Sequence, residues 1–176
     1  EFRRVLFRST LFETQSPKFD KTKARANGKI FTLTRDTTGD QKINVEDLEW
    51  EYLKGDGDFR SDEVSKLRDE ADIIITNPPF SLFREFLEWI VSANKKMVIL
   101  GNMNAVTYKE VFPLIKMNRI WLGATRNGVG SMWFLISDSA PTKTGQKVEN
   151  GQRMQTVGSS AWFTSLDHGR RHEPLG

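Results

Sequence analysis

Hydrophobic runs of two different periods take turns along the middle of this chain. Residues 72–76, Asp-Ile-Ile-Ile-Thr, are an unbroken apolar run of strand length with polar flanks, which predicts a strand buried on both faces of a parallel sheet. In residues 81–92, Leu82, Phe83, Phe86, Leu87, Ile90 and Val91 recur at helical spacing with Arg84, Glu85 and Glu88 on the other side, the pattern of a helix packed on that sheet. A strand over 96–100, a helix over 107–116 and a strand over 119–122 continue the alternation, so the expected architecture is a doubly wound α/β sheet. Residues 132–136 and 161–164 read as two further strands. The polar, Gly- and Lys-rich stretch 137–159 between them reads as a long loop, either functional or disordered. Upstream, residues 28–34 alternate polar and apolar positions and 48–53 return as their partner, which predicts a β-hairpin over about 28–53. Ser61, followed by Asp62 and Glu63, opens a short helix with Val64, Leu67 and Ala71 inward.

Composition narrows the class. The chain has 176 residues, of which 38% are hydrophobic and 28% charged, which suits one folded domain with a real core. It has no cysteine, so disulfides and thiolate metal sites are excluded, in keeping with a reducing compartment. No apolar stretch approaches the roughly 20 residues that span a bilayer, and the expected location is cytoplasmic with no membrane partner. A net charge of +3 permits nucleic-acid binding without demanding it. Residues 1–9 resemble a translated sequencing adapter and are read as a non-native leader, which leaves 10–176 as the natural part.

Candidate chemistry sits directly after the apolar run, at Asn77-Pro78-Pro79-Phe80. The carboxyl end of a strand is where open α/β sheets bind ligands. The two prolines fix φ, remove two backbone donors and bar Asn77 from helical geometry, so the loop is rigid and keeps its carbonyls available. An amide oxygen, a carbonyl and an aromatic face are what a planar, amino-bearing ring needs. The plainer alternative is a turn in which Asn77 caps the following helix.

N-P-P-F is similar to the motif of amino-group methyltransferases. With Leu53-Lys54-Gly55-Asp56-Gly57-Asp58-Phe59-Arg60-Ser61 before it and Gly101-Asn102-Met103-Asn104-Ala105-Val106-Thr107-Tyr108-Lys109-Glu110 after it, the chain resembles the EcoRI-type adenine-specific (N6) DNA methyltransferases over roughly residues 53–173. The resemblance implies a Rossmann-like methyltransferase sheet with a hairpin insertion, S-adenosylmethionine as cofactor and double-stranded DNA as substrate. It also implies a partner restriction endonuclease acting on the same site. A monomer is expected. By the same resemblance Asn77, Pro78, Pro79 and Phe80 are catalytic, Asp58, Phe59 and Asn77 hold the cofactor, and Phe80, Asn102 and Asn104 meet the substrate. The family's first strand, with the turn that holds the methionine end of the cofactor, has no counterpart. The chain is therefore read as truncated at both ends and inactive alone. Methylation of RNA or of a protein amide would use the same N-P-P-F.

A different class of reading comes from residues 36–47, which place oxygens at positions 1, 3, 5, 9 and 12 of an EF-hand-like calcium loop. Position 6 is Gln41 rather than Gly, position 12 is Asp47 rather than Glu, and a strand precedes it, so a hairpin tip is favoured over a calcium- or nucleic-acid-binding module. His168 and His172 have zinc-like spacing without further ligands, and no metal is expected. Lys95-Lys96 read as a solvated face, while Arg170-Arg171 stay open as phosphate contacts.

Overall fold

The computed structural model describes residues 2–6, 20–43, 45–124, 133–156 and 159–172. Residues 1–70 and 71–176 form two units.

In the first unit, β1 (Phe2–Leu6), β2 (Lys29–Leu33) and β3 (Glu49–Tyr52) make an antiparallel sheet in that order, β2 pairing Lys29 with Tyr52 and Thr32 with Glu49. The return of 48–53 on 28–34 is thus observed, and residues 2–6 of the stretch read as a leader lie on the other side of β2. Lys29 is buried because its ammonium lies 5.6 Å from the Trp50 ring and 5.4 Å from that of Tyr52, so two π-faces replace part of its hydration. Helix α1 (Lys21–Ala26) starts at Asp20, whose carboxylate accepts from the amides of Thr22 and Lys23. Helix α2 (Asp62–Glu70) follows the capping residue Ser61, whose hydroxyl accepts from the Val64 amide, and has the acidic pair in its first turn, as read.

In the second unit, a mixed sheet runs in the order β4 (Ile73–Thr76), β5 (Lys96–Asn102), β10 (Ser160–Thr164), β6 (Trp121–Leu122). Only β4 and β5 are parallel; β10 is antiparallel to both its neighbours. Helix α3 (Phe83–Ser92) buries Phe83, Phe86, Leu87 and Ile90, the face that its spacing predicts. Phe83, Leu87, Ile90, Met97, Ile99, Ala161 and Phe163 are sealed from solvent and form the core of this unit. Gly101 belongs to it for a steric reason: a β-carbon there would sit 2.3 Å from the Phe83 ring.

Three expectations need correction. Strand β4 is not buried on both faces: it lies at the edge of its sheet, with Ile73 45% and Ile75 65% exposed. The helix expected over 107–116 is a 3-10 turn over Met103–Thr107, an extended Tyr108 and a short α4 (Phe112–Lys116), because Pro113 has no N–H and belongs in a first turn. The long loop 137–159 is in large part structured. Strands β8 (Gln146–Glu149) and β9 (Gln152–Thr156) form a hairpin whose Asn150-Gly151 tip takes φ of 51° and 76°, the positive pair that a two-residue type I′ turn requires. Strand β7 (Trp133–Leu135) joins β9 in a separate three-stranded sheet instead of the main one. Met132 lies outside the described residues.

Candidate functional site

Thr76, the last residue of β4, pairs in register with Ile99 of the parallel β5, which runs on to Asn102. The segments that follow the two strands therefore leave the same end of the sheet. Pro78 is buried and anchors the Asn77 loop, while Pro79 is exposed at φ −52° and ψ 133° and leads into a 3-10 turn over Phe80–Leu82. The Pro79 carbonyl accepts from the Leu82 amide at 2.8 Å, and the Pro78 carbonyl is not drawn into that turn. Asn77 caps nothing: the cap positions fall on Pro79 and Leu82, without side-chain hydrogen bonds. Asn77 is exposed, and its side chain has no hydrogen-bond partner among the described residues. Phe80, three residues on, is 46% exposed.

Asn102 and Asn104 lie at this end too, with different commitments. Asn102 accepts from the Asn104 amide at 2.9 Å and donates to Ser159 Oγ at 3.0 Å, so its side chain holds the turn after β5. Asn104 is exposed, with its carbonyl bonded to the Thr107 hydroxyl. Residue spacing from Phe80 leads to a group that the motif reading passed over. Arg84 comes one helical turn after Phe80, its guanidinium 5.7 Å from the Tyr108 ring and 3.9 Å from the Glu110 carboxylate.

Asp58 and Phe59 come together in the first unit. Their loop is fastened from several sides: Asn27 donates to the carbonyls of Leu53 and Lys54, and the Glu63 carboxylate accepts the amides of Lys54 and Gly55 at 3.0 Å each. Those amides hold the Glu63 pKa below its usual value. Gly28 and Gly57 meet backbone to backbone, since a β-carbon on Gly28 would lie 2.7 Å from the Gly57 Cα. Asp58 accepts from Arg60 Nε at 2.9 Å, from Nη2 at 2.6 Å and from the Arg60 amide at 2.8 Å. The Arg60 side chain, foremost, lowers the Asp58 pKa to about 2. The same guanidinium lies 5.3 Å from the ring of Phe59, which is buried.

Elsewhere, Asp36, Asp40 and Asp47 bring carboxylate oxygens within 4.8 Å of one another. Gln41 takes φ 64°, the conformation for which the loop pattern prefers glycine. Asp36 accepts from the Gly39 and Gln41 amides and the buried Asp47 from those of Thr37 and Thr38, so the tip between β2 and β3 is held by amide-to-carboxylate bonds. Arg170 and Arg171, left open as phosphate contacts, are engaged within the protein. Arg170 donates to the Ala124 carbonyl, and Arg171 bonds Asp167 and Asn118 and stacks 3.7 Å from the Trp121 ring. His168 bonds the Leu122 carbonyl and His172 bonds Asp167. Among the described residues no helix is long and apolar enough to cross a membrane.

With this geometry in place, known proteins can be compared. The chain is 38% identical over 159 residues to the Type II methyltransferase M.EcoRI of Escherichia coli, covering 89% of this chain and 48% of that protein. It is 38% identical to M.MgeORF184P of Mycoplasma genitalium and 36% identical to M.MpnI of Mycoplasma pneumoniae, both Type II methyltransferases, each over 118 residues, covering 65% of this chain and 37% and 36% of theirs. It thus spans about half or less of the length of these relatives. No solved structure matches it. A family model described as adenine-specific methyltransferase EcoRI matches residues 5–176, and the chain belongs to that family.

Proposed function

We propose that this chain is part of a site-specific DNA adenine-N6 methyltransferase, acting on an adenine extruded from duplex DNA with S-adenosylmethionine as methyl donor. The single observation that carries this reading is Asn77: an exposed amide without a hydrogen-bond partner among the described residues, followed in the same loop by a Pro78 carbonyl that no described backbone amide takes and by a half-exposed Phe80. The relatives' Type II methyltransferase names support it. They also favour a restriction endonuclease that shares the DNA site.

An exocyclic aromatic amine is a weak nucleophile because its lone pair is delocalised into the ring. Two acceptors, Asn77 Oδ1 and the Pro78 carbonyl, take the two N–H bonds, turn the nitrogen toward tetrahedral geometry and stabilise the positive charge that develops on it. Phe80 stacks on the purine and offsets part of the few kcal/mol that extrusion costs. That stack would hold the ring, and with it the amine, in one orientation for attack on the methyl group. Asn77 is no base, so the surplus proton leaves for water.

The cofactor, when bound, supplies a methyl group on a positively charged sulfur. Asp58 suits its adenine end chemically, because the carboxylate already accepts planar N–H donors, and the Phe59 ring already lies beside a planar cation. On this reading the mixed sheet of the second unit is part of a Rossmann-like methyltransferase sheet, and β2 with β3 is the hairpin insertion.

The test is transfer of labelled methyl groups to duplex DNA. Asn77→Ala should lower the rate about 10²- to 10³-fold, the cost of one lost transition-state hydrogen bond in a preorganised site. Because the chain spans 48% of M.EcoRI, it is expected to be inactive alone, and the rates are compared in the whole protein of which it is part. An Asn77→Ala protein that methylates adenine at the parent rate overturns the assignment.

A further inference from the structure

We propose that Arg84 and Lys109 grip the DNA backbone beside the extruded nucleotide, with Tyr108 and Glu110 setting the position of the Arg84 head group. This rests on duplex DNA being the substrate, the reading given above. Arg84 lies four residues after Phe80, in the first turn of the helix that the Phe80 turn leads into. Its side chain is 58% exposed, and that of Lys109 is 89% exposed.

The guanidinium is oriented without being used up. It lies 5.7 Å from the Tyr108 ring centroid, within cation–π range. Its nearest carboxylate oxygen, Glu110 Oε1, is 3.9 Å away, beyond hydrogen-bond length, and Lys109 Nζ is also 3.9 Å from that oxygen. Glu110 Oε2 is buried with no hydrogen-bond partner among the described residues. Two cations thus face one carboxylate that does not engage either closely, and the N–H donors of Arg84 remain available to phosphate oxygens. Glu110 opposes an incoming phosphate by its charge and holds Arg84 at the rim by the same charge.

Two other basic pairs among the described residues are engaged or placed elsewhere. Arg170 and Arg171 are bonded within the protein, and Lys95-Lys96 border a depression at the amino end of β5, the sheet end opposite Phe80.

The experiment is fluorescence-anisotropy titration of the 176-residue chain with a labelled duplex containing adenine, over 50 to 200 mM salt. Each phosphate contact adds about 0.9 to the slope of log affinity against log salt, so Arg84→Ala should flatten that slope by about 0.9 and shrink the salt-induced loss about 3.5-fold. Arg84→Lys should keep most of the slope. Glu110→Gln should tighten binding, which a purely structural role for Glu110 gives no reason to expect. Asn77→Ala should leave the slope unchanged while methyl transfer by the whole protein falls, so failure of the catalytic reading and failure of this one are separable. Absence of duplex binding by the parent chain, or a parental slope in an Arg84→Ala protein with a native circular dichroism spectrum, overturns the proposal.

Discussion

Asp58 has two claimants for one pair of oxygens. Arg60 holds them in this structure, and the proposed cofactor contact uses the same lone pairs. The consequence for stability has a definite sign. The folded pKa, about 2, lies below the unfolded value of about 3.9, so the pair stabilises the protein above pH 4 and loses that effect as pH falls toward 2. Arg60→Ala should therefore unfold more readily than the parent at pH 5, and the gap between the two should close on acidification, read from urea midpoints at each pH. Midpoints that stay equally spaced down to pH 2 would contradict it. At this scale the sequence was a good guide where a constraint is local. The Pro-Pro pair by itself bars Asn77 from helical geometry, and Asn77 stands outside the turn that follows. The Asp58–Arg60 bond was not legible, because whether an arginine two residues away folds back or reaches into solvent depends on how the loop is fastened, here by Asn27 and Glu63 from outside it.

At the scale of elements, periodicity served well for α3 and for the antiparallel return of β3 on β2. It failed for β4. Three consecutive isoleucines carry no alternation, so nothing in them distinguishes a central strand from an edge strand, and only the pairing partners decide. The helix expected over 107–116 is confined to Phe112–Lys116 because Pro113, without an N–H, fits only a first turn. The β8–β9 hairpin was written in Asn150-Gly151 but was masked by the polar composition around it. The packing of α3 on β5 gives an element-level prediction. Gly101→Ala drives a methyl group into the Phe83 ring, which also packs against Phe163 at 5.2 Å between centroids, so the ring has little room to yield. Overpacking of this kind costs about 1–3 kcal/mol. The thermal midpoint should drop by on the order of 5 °C; an unchanged midpoint would show that the ring moves freely.

For the molecule as a whole, the four-stranded sheet ends on β4, and Ile73 and Ile75 lie exposed along it. Such a border is a template on which another chain can extend the ladder. The chain should therefore be limited in solution by colloidal behaviour before it is limited by unfolding: light scattering should rise with concentration well below the melting temperature. Ile75→Lys should suppress that rise and leave melting nearly unchanged, because a charge at an open border repels its own copies and costs little at a position already in water. Equal scattering from the two proteins would place the sticky surface elsewhere. If the suppression is seen, that single lysine would also be the practical route to the concentrated, monodisperse samples that crystallisation requires.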